Sequence, residues 1–357
     1  MTAPVRVAVV STGNIGAASI RSIVRRPDLE LVGVWVHSDD KVGQDAGALA
    51  GIAPIGLAAT HDLAEIVASA PDCAVYAATG PDLDAVAVPH YELLLRGGIN
   101  VVTTATPGLV FPKGWDPVRV AALEAAAAAG GATLYASGIE PGFVGDHLAL
   151  VLATQSEEIV SLRTQEIFSY ADYANEFLMR DVFGFGMPMD STPLMELGGS
   201  QLMAWGPPVK YVADGLGVEL DEIRETYERR ATERDLDVAC GTIAAGTCGA
   251  IRMETIGVVA GRDAIVIEHV NRMADDIAPD WPTADRDGTY RIVVEGTPSM
   301  TCELTLGSPE TASVDGLVAT AMRVVNAIPA VVAAGPGLVT SRDLPLTVSP
   351  YALDLVR

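Results

Sequence analysis

The chain has 357 residues, enough for about two domains. Hydrophobic residues make up 49% of it and charged residues 19%, a composition that excludes a disordered chain. Its 46 acidic and 23 basic residues leave a formal charge of −23, which repels nucleic-acid phosphates and anionic membrane surfaces and points to a small-molecule or protein partner.

The first element is an apolar run over residues 5–10, which leads into STGNIG and then into the helically spaced AASIRSIV. A strand, a glycine turn and a helix N-terminus in that order present free N–H groups and a positive dipole end to a pyrophosphate. The G-x-G-x-x-G pattern is incomplete. Ser11 fills its first slot, Gly13 and Gly16 fill the others, and Thr12, Asn14 and Ile15 lie between. Such a pattern needs its context to carry it. Strand-like sequence from Val5 also leaves no room for a secretory leader, so a cytoplasmic protein is expected.

Residues 29–37 read as a second strand, 61–69 as a short helix and 74–78 as a third strand. A helix over 86–96 stops at Gly97 and Gly98; a fourth strand over 100–104, a helix over 116–129 and a fifth strand over 132–136 follow. This alternation predicts a Rossmann-type, doubly wound parallel sheet, an α/β domain over residues 1–150. Beyond it, strands at 159–170, 246–260, 264–272 and 288–306 predict a largely antiparallel sheet in a second, α+β domain over 151–312. Helical regions are expected there at 173–203, broken at FGFGMPMD, and at 221–234. Helical spacing returns at 314–334, before a Gly/Pro exit at 336–344, so residues 313–357 should pack back on the first domain. The apolar stretches at 118–129 and 318–334 fall short of the ~20 residues that span a bilayer. Cys73, Cys240, Cys248 and Cys302 lack C-x-x-C spacing, and no histidine pair has ligand spacing; buried reduced thiols and no metal are expected.

In such sheets ligands lie beyond the carboxyl ends of the strands. After the second strand come His37, Ser38, Asp39, Asp40 and Lys41. An imidazole, a hydroxyl and an ammonium suit a 2′-phosphate and predict NADP; NAD stays open if Asp39 or Asp40 reaches the ribose. Ala78, Thr79, Gly80 and Pro81 form a close-approach turn after the third strand, and Thr103, Thr104 and Thr106 supply hydroxyls after the fourth. After the fifth, Ser137-Gly138-Ile139-Glu140-Pro141-Gly142-Phe143 places Gly138 at the cofactor and a carboxylate on a rigid loop. Glu140 reads either as an active acid or as the cap of a helix beginning near Gly145. Aromatics are only 5% of the chain, yet Phe168, Tyr170, Phe177, Phe183 and Phe185 gather near Met187 and Met189. With Phe143 they read as the apolar wall of a substrate pocket or, equally, as plain core or a dimer face.

Together, STGNIG, VWVHSDDKVGQDAG, SGIEPGF, EHVNRM and VNAIPAVVAAGPGLVTSRDLP resemble proteins with a dihydrodipicolinate-reductase-like N-terminal domain. Among these the chain is most similar to 2,4-diaminopentanoate dehydrogenase and the native amine dehydrogenases. The resemblance implies a Rossmann domain, a second domain holding the substrate, NAD(P)-dependent interconversion of an amine and a ketone, and a homodimer built through the second domain. It also implies a glutamate just beyond the fourth strand, in a T-x-E-E segment, where this chain has Thr104-Ala105-Thr106-Pro107. The family loop after the fifth strand resembles G-x-N-P-G-F, with Glu140 here in the Asn slot. A carboxylate lost at one strand exit and gained at the next is either one function moved or a different reaction. Glu140 is the first candidate proton donor, its acid form favoured if neighbours such as Phe143 desolvate it; Thr106 is second, and Thr104 could orient water or substrate. No basic cluster suited to two carboxylates is present, which argues against dihydrodipicolinate itself as substrate. Two functions stand: an NADP-dependent oxidoreductase acting on a C=N or C=O carbon of a small hydrophobic substrate, or a non-catalytic, regulatory NADP-binding protein that has lost the family glutamate.

Overall fold

The alternation in the first third of the sequence becomes layered structure in the computed structural model, which describes residues 3–80, 83–308 and 311–353. Pro81, placed above in the turn after the third strand, lies outside the described residues. In chain order the elements begin with β1 (Val5–Val10), α1 (Asn14–Arg25), β2 (Leu29–Trp35), α2 (Ala46–Leu49), α3 (Leu63–Ala68), β3 (Cys73–Tyr76) and α4 (Leu83–Arg96). Next come β4 (Asn100–Thr103), α5 (Pro117–Gly130), β5 (Thr133–Ala136), α6 (Ala149–Ala153), β6 (Glu158–Ser169) and α7 (Ser200–Leu216). Seven strands follow: β7 (Glu222–Ala231), β8 (Leu236–Val238), β9 (Gly241–Ile243), β10 (Cys248–Val259), β11 (Arg262–Arg272), β12 (Thr289–Thr297) and β13 (Met300–Thr305). The chain ends with α8 (Ala312–Val325), α9 (Ile328–Ala333) and β14 (Gly337–Val339). It divides into two compact units, Met1–Gly142 with Leu317–Arg357, and Phe143–Gly316.

In the first unit the strands run parallel in the order β14-β5-β4-β3-β1-β2. Parallel strands covered on both faces read as continuous apolar runs, as VRVAVV and CAVY do. Val7, Val9, Cys73 and Val75 join one layer with Ile20 and Ile23 of α1 and with Val324, Val325, Ile328 and Val331 of α8 and α9. Ala74 and Tyr76 point to the other layer, filled by Tyr91, Leu94 and Leu95 of α4 and Leu123 of α5. The order reverses between β1 and β3, which opens a crevice at their carboxyl ends. The Gly/Pro exit read at 336–344 contains β14, the sixth strand of this sheet. The apolar run Ala312–Ala333 is longer than expected and, by length and composition, could cross a membrane. It breaks between α8 and α9, and its inner face is part of the core just described.

The second unit holds a six-stranded sheet ordered β13-β12-β6-β11-β10-β7 and a small β8-β9 pair. Only β6 and β11 pair in parallel; the other described pairings are antiparallel. α7 lies close against one face, where a Cβ on Gly257 would stand 2.7 Å from Val209 Cγ1. The opposite face carries an ion network in which Glu268, 1% exposed, accepts from Arg163, Arg252 and Gln165.

Two helical expectations are corrected. Residues 221–234 contain the strand β7, because EIRETYERRA, though rich in helix-forming Glu and Arg, pairs along its length with β10. It is an edge strand, where such charge blunts pairing with other chains. Residues 173–203 form a π-turn at Leu178–Val182, a 3-10 turn at Leu194–Glu196 and only the start of α7. α7 continues through Pro207 and Pro208, which normally end a helix.

Candidate active site

The glycine turn leaves β1 at Ser11, whose φ of 88° lies in the left-handed region that glycine adopts at lowest cost. The Ser11 hydroxyl accepts the Gly13 N–H at 3.4 Å. A Cβ on Gly16 would stand 2.0 Å from the Ser11 carbonyl oxygen, so this glycine is required for α1 to approach β1. Gly13 differs: it has φ −67°, and a Cβ there would meet nothing nearer than Ser11 Oγ at 3.9 Å. Gly13 and Asn14 are exposed, Ile15 is half-buried, and α1 has no acidic residue in its first turn, which leaves its dipole end open to an anion. The open space at Gly13 is one a pyrophosphate could occupy.

Thr12 is joined to the β2 exit, where Lys41 Nζ donates to its Oγ1 at 3.4 Å. His37 and Ser38 are exposed beside it, and His37 packs against Trp35 with ring centroids 6.1 Å apart. Ala78 is half-buried and Thr79 and Gly80 exposed beyond β3, with nothing within 4 Å of a Cβ on Gly80.

The β4 exit is tightly closed. Tyr91 shares its hydroxyl with Thr103 Oγ1 at 2.9 Å and Thr106 Oγ1 at 3.0 Å, and Thr103 also donates to the Tyr76 carbonyl. Burial pushes the Tyr91 phenol up, out of reach of ionisation at neutral pH. Thr103 and Thr106 are buried in this knot, whereas Thr104 is half-buried. After β5 the chain folds back on itself: Ser137 Oγ donates to the Gly142 carbonyl at 2.9 Å, and a Cβ on Gly142 (φ 118°) would stand 2.4 Å from Gly138 N. The Ile139 N–H donates to Thr320 Oγ1, and Arg323 Nε donates to Ser137 Oγ. Half-buried Glu140 thus rides on a loop braced from both ends. The π-turn at Val144–Leu148 follows Phe143 without a side-chain cap.

In the second unit, the aromatic residues read as an apolar wall or, equally, as core fall into separate ring contacts, the largest of them centred on Tyr170. Phe143 pairs with His147, Phe168 with Tyr290, and Tyr170 with Tyr173, Phe183 and Phe185. Phe177 is exposed and Met187 half-buried. Phe168 does line a cavity of about 210 Å³, but its neighbours there include Arg272, Asp275, Asp285, Arg286 and Asp287.

Missed in the sequence is a buried polar row under α7. Register places Tyr290, Glu166, His269 and Met253 side by side on β12, β6, β11 and β10. Glu166 Oε1 accepts from the Tyr170 hydroxyl at 2.5 Å and from Asn271 Nδ2 at 3.2 Å. The Trp205 ring packs on His269 at 4.3 Å, and burial holds the imidazole below its ordinary value although Glu166 and Glu268 pull it up. No local signal in TQEIFSY marks Glu166; the only pointer is the distant EHVNRM, which brings His269 and Asn271 beside it.

Residues 143–353 match the family described as the 2,4-diaminopentanoate dehydrogenase C-terminal domain, and residues 5–135 match dihydrodipicolinate reductase, N-terminus. This chain belongs to the 2,4-diaminopentanoate dehydrogenase family. An amine dehydrogenase from Streptomyces virginiae is 40% identical over 346 residues, covering 94% of each chain. The 2,4-diaminopentanoate dehydrogenase of Acetoanaerobium sticklandii is 23% identical, over 71% of this chain and 69% of that one. The structure of an amine dehydrogenase from Mycobacterium smegmatis, 22% identical, aligns with a TM-score of 0.79 over 97% of both chains and so shares the fold. The chain is thus an oxidoreductase of a pyridine-nucleotide-dependent, amine dehydrogenase family, with an incomplete glycine pattern and no acid at the β4 exit.

Proposed function

We propose that this chain is an NADP-dependent amine dehydrogenase that interconverts an amine and a ketone on a small hydrophobic substrate, as a cytoplasmic homodimer. The braced loop carrying Glu140 supports this reading most directly, because a proton donor must hold its position while hydride moves. The turn from Ser11 to Gly16 would hold the pyrophosphate, while Lys41, His37 and Ser38 would surround the 2′-phosphate. When bound, the dinucleotide supplies or accepts the hydride. In the oxidative direction the amine's α-carbon gives up hydride and its nitrogen a proton to Glu140; the imine then takes up water to leave a ketone and ammonia. Thr104, the half-buried hydroxyl of the β4 exit, would orient that water, with Thr106 holding the exit in shape. Family resemblance supports the dimer, and three buried, unpaired cysteines support a reducing compartment.

The test is NADPH and NADH consumption with a panel of ketones plus ammonia, repeated with Glu140→Gln. Preferential NADPH use and a loss of kcat of about 100-fold or more are expected. Full turnover by the variant would remove Glu140 from the mechanism. Cofactor-induced thermal stabilisation of the wild type without turnover of any carbonyl or imine would favour the regulatory reading instead.

A further inference from the structure

We propose that the second unit contains an ammonium-binding site centred on Glu166, which recognises the nitrogen of a primary amine or of ammonia. The inference rests on the amine dehydrogenase reading and adds the residue that selects the amine. Glu166 is 8% exposed, and no Lys or Arg pairs with it among the described residues. Arg163 and Arg252, on the same sheet, are engaged with Glu254 and Glu268 instead. The imidazole beside it, His269, is held neutral by burial and supplies no counter-charge. A buried carboxylate without a cation is costly, so such a site is retained where a ligand brings the cation.

The surroundings specify what that ligand must offer. Both hydrogen bonds to Glu166 fall on Oε1, leaving Oε2 without a donor among the described residues. The amide of Asn271 turns its Nδ2 toward Glu166, and its Oδ1 is left buried without a partner. Gln201 Oε1 and Thr164 Oγ1 are also buried and unpartnered. Thr164 lies two residues from Glu166 on the same face of β6, and Gln201 one turn of α7 before Trp205. Asn271 Oδ1 and Gln201 Oε1 can only accept and Thr164 Oγ1 can do so, and an ammonium, with three N–H donors and no acceptor, would satisfy them; the Trp205 Nε1–H, also buried and unpartnered, is the one pure donor in the row. Tyr170 and Tyr173, ring centroids 5.9 Å apart, add π faces that attract a cation. A hydroxyl or ketone oxygen would meet the same acceptors with at most one donor.

Calorimetric titration of the full-length protein with butylammonium chloride, against the neutral isostere 1-butanol, tests the site without turnover. The wild type is expected to bind butylammonium, about 10- to 100-fold tighter than the alcohol. Glu166→Gln should lose that preference while keeping its affinity for NADPH. Equal binding of the two ligands by the wild type, or no binding of butylammonium, overturns the proposal even if the variant fails to fold. A folded Glu166→Gln protein that keeps the preference overturns it as well, and makes the Tyr170–Glu166–Asn271 group a structural knot. Failure of the parent reading looks different: butylammonium binds through Glu166, but no ketone is aminated by the wild type.

Discussion

The two glycines that complete the turn after β1 make opposite predictions. At Gly16 a Cβ would lie 2.0 Å from the Ser11 carbonyl oxygen and 2.8 Å from its carbon, both backbone atoms that cannot swing aside. Restoring ordinary contact requires the start of α1 to retreat by roughly 1.4 Å from β1, an overpacking cost of about 3 kcal/mol. In a body of this size that lowers the melting temperature by about 6–12 °C. At Gly13 the backbone is one any residue adopts, and the nearest atom to a Cβ is 3.9 Å away. Gly13→Ala should therefore melt within about 2 °C of the wild type yet bind NADPH and NADH roughly 10- to 100-fold more weakly, because its methyl occupies the pyrophosphate cradle. Melting curves and cofactor titrations of Gly13→Ala and Gly16→Ala check both halves. Unaltered cofactor affinity in Gly13→Ala, or wild-type stability in Gly16→Ala, would refute the assignment of these two roles.

Other expectations follow from the same geometry. Lys41→Ala should weaken NADPH about 10- to 100-fold and NADH little, since only the former carries the phosphate; equal losses would place Lys41 elsewhere in the site. Ser11→Gly removes a side chain from φ 88°, and after the added freedom of the unfolded glycine it should gain roughly 0.5–1 kcal/mol, seen as a melting temperature raised by about 1–4 °C. Acid should destabilise the second unit in two steps. His269 is held neutral by burial, so the unfolded chain binds the extra proton and stability falls as pH drops through the ordinary value of 6.5, by up to about 1.4 kcal/mol per pH unit. Burial raises the Glu268 carboxyl, but Gln165, Arg163 and Arg252 outweigh it, so its stabilisation is present above 4.5 and is lost as pH falls through the lower folded value. His269→Phe should flatten the first step of a melting-temperature profile and Glu268→Gln the second; profiles parallel to wild type would contradict this.

How much of this was legible depends on where each element lies. VRVAVV and CAVY declare their strands because both faces are covered, and Gly97-Gly98 marks a helix end, Gly98 by its φ of 76°. EIRETYERRA reads as helix because its residues favour one, and only the ladder with β10 decides otherwise. α7 is hidden by its two prolines, and β14, three residues long, becomes a strand only because β5 offers it an edge. The residues proposed to hold the cofactor were nameable from the sequence because they follow one another at strand ends. Glu166 was not, since its partners His269 and Asn271 come from a strand about 100 residues later and reach it only through parallel pairing.

The missing glutamate at the β4 exit then has a packing explanation. Tyr91 binds the hydroxyls of Thr103 and Thr106 at once, and Ala105 is only 8% exposed, its N–H given to Thr103 Oγ1. A carboxylate at 106, the first of the two glutamate slots, would be buried against a phenol that burial keeps protonated and against a hydroxyl already shared. In this chain the hydroxyl knot builds the exit. As proposed above, proton transfer falls to Glu140 and recognition of the nitrogen to Glu166. Glu140 has the braced loop that proton transfer requires, and Glu166 has the buried, cation-free setting that ammonium recognition requires. Separate tasks imply separable defects: loss of Glu140 should appear in kcat, and loss of Glu166 in the KM for amine or ammonia.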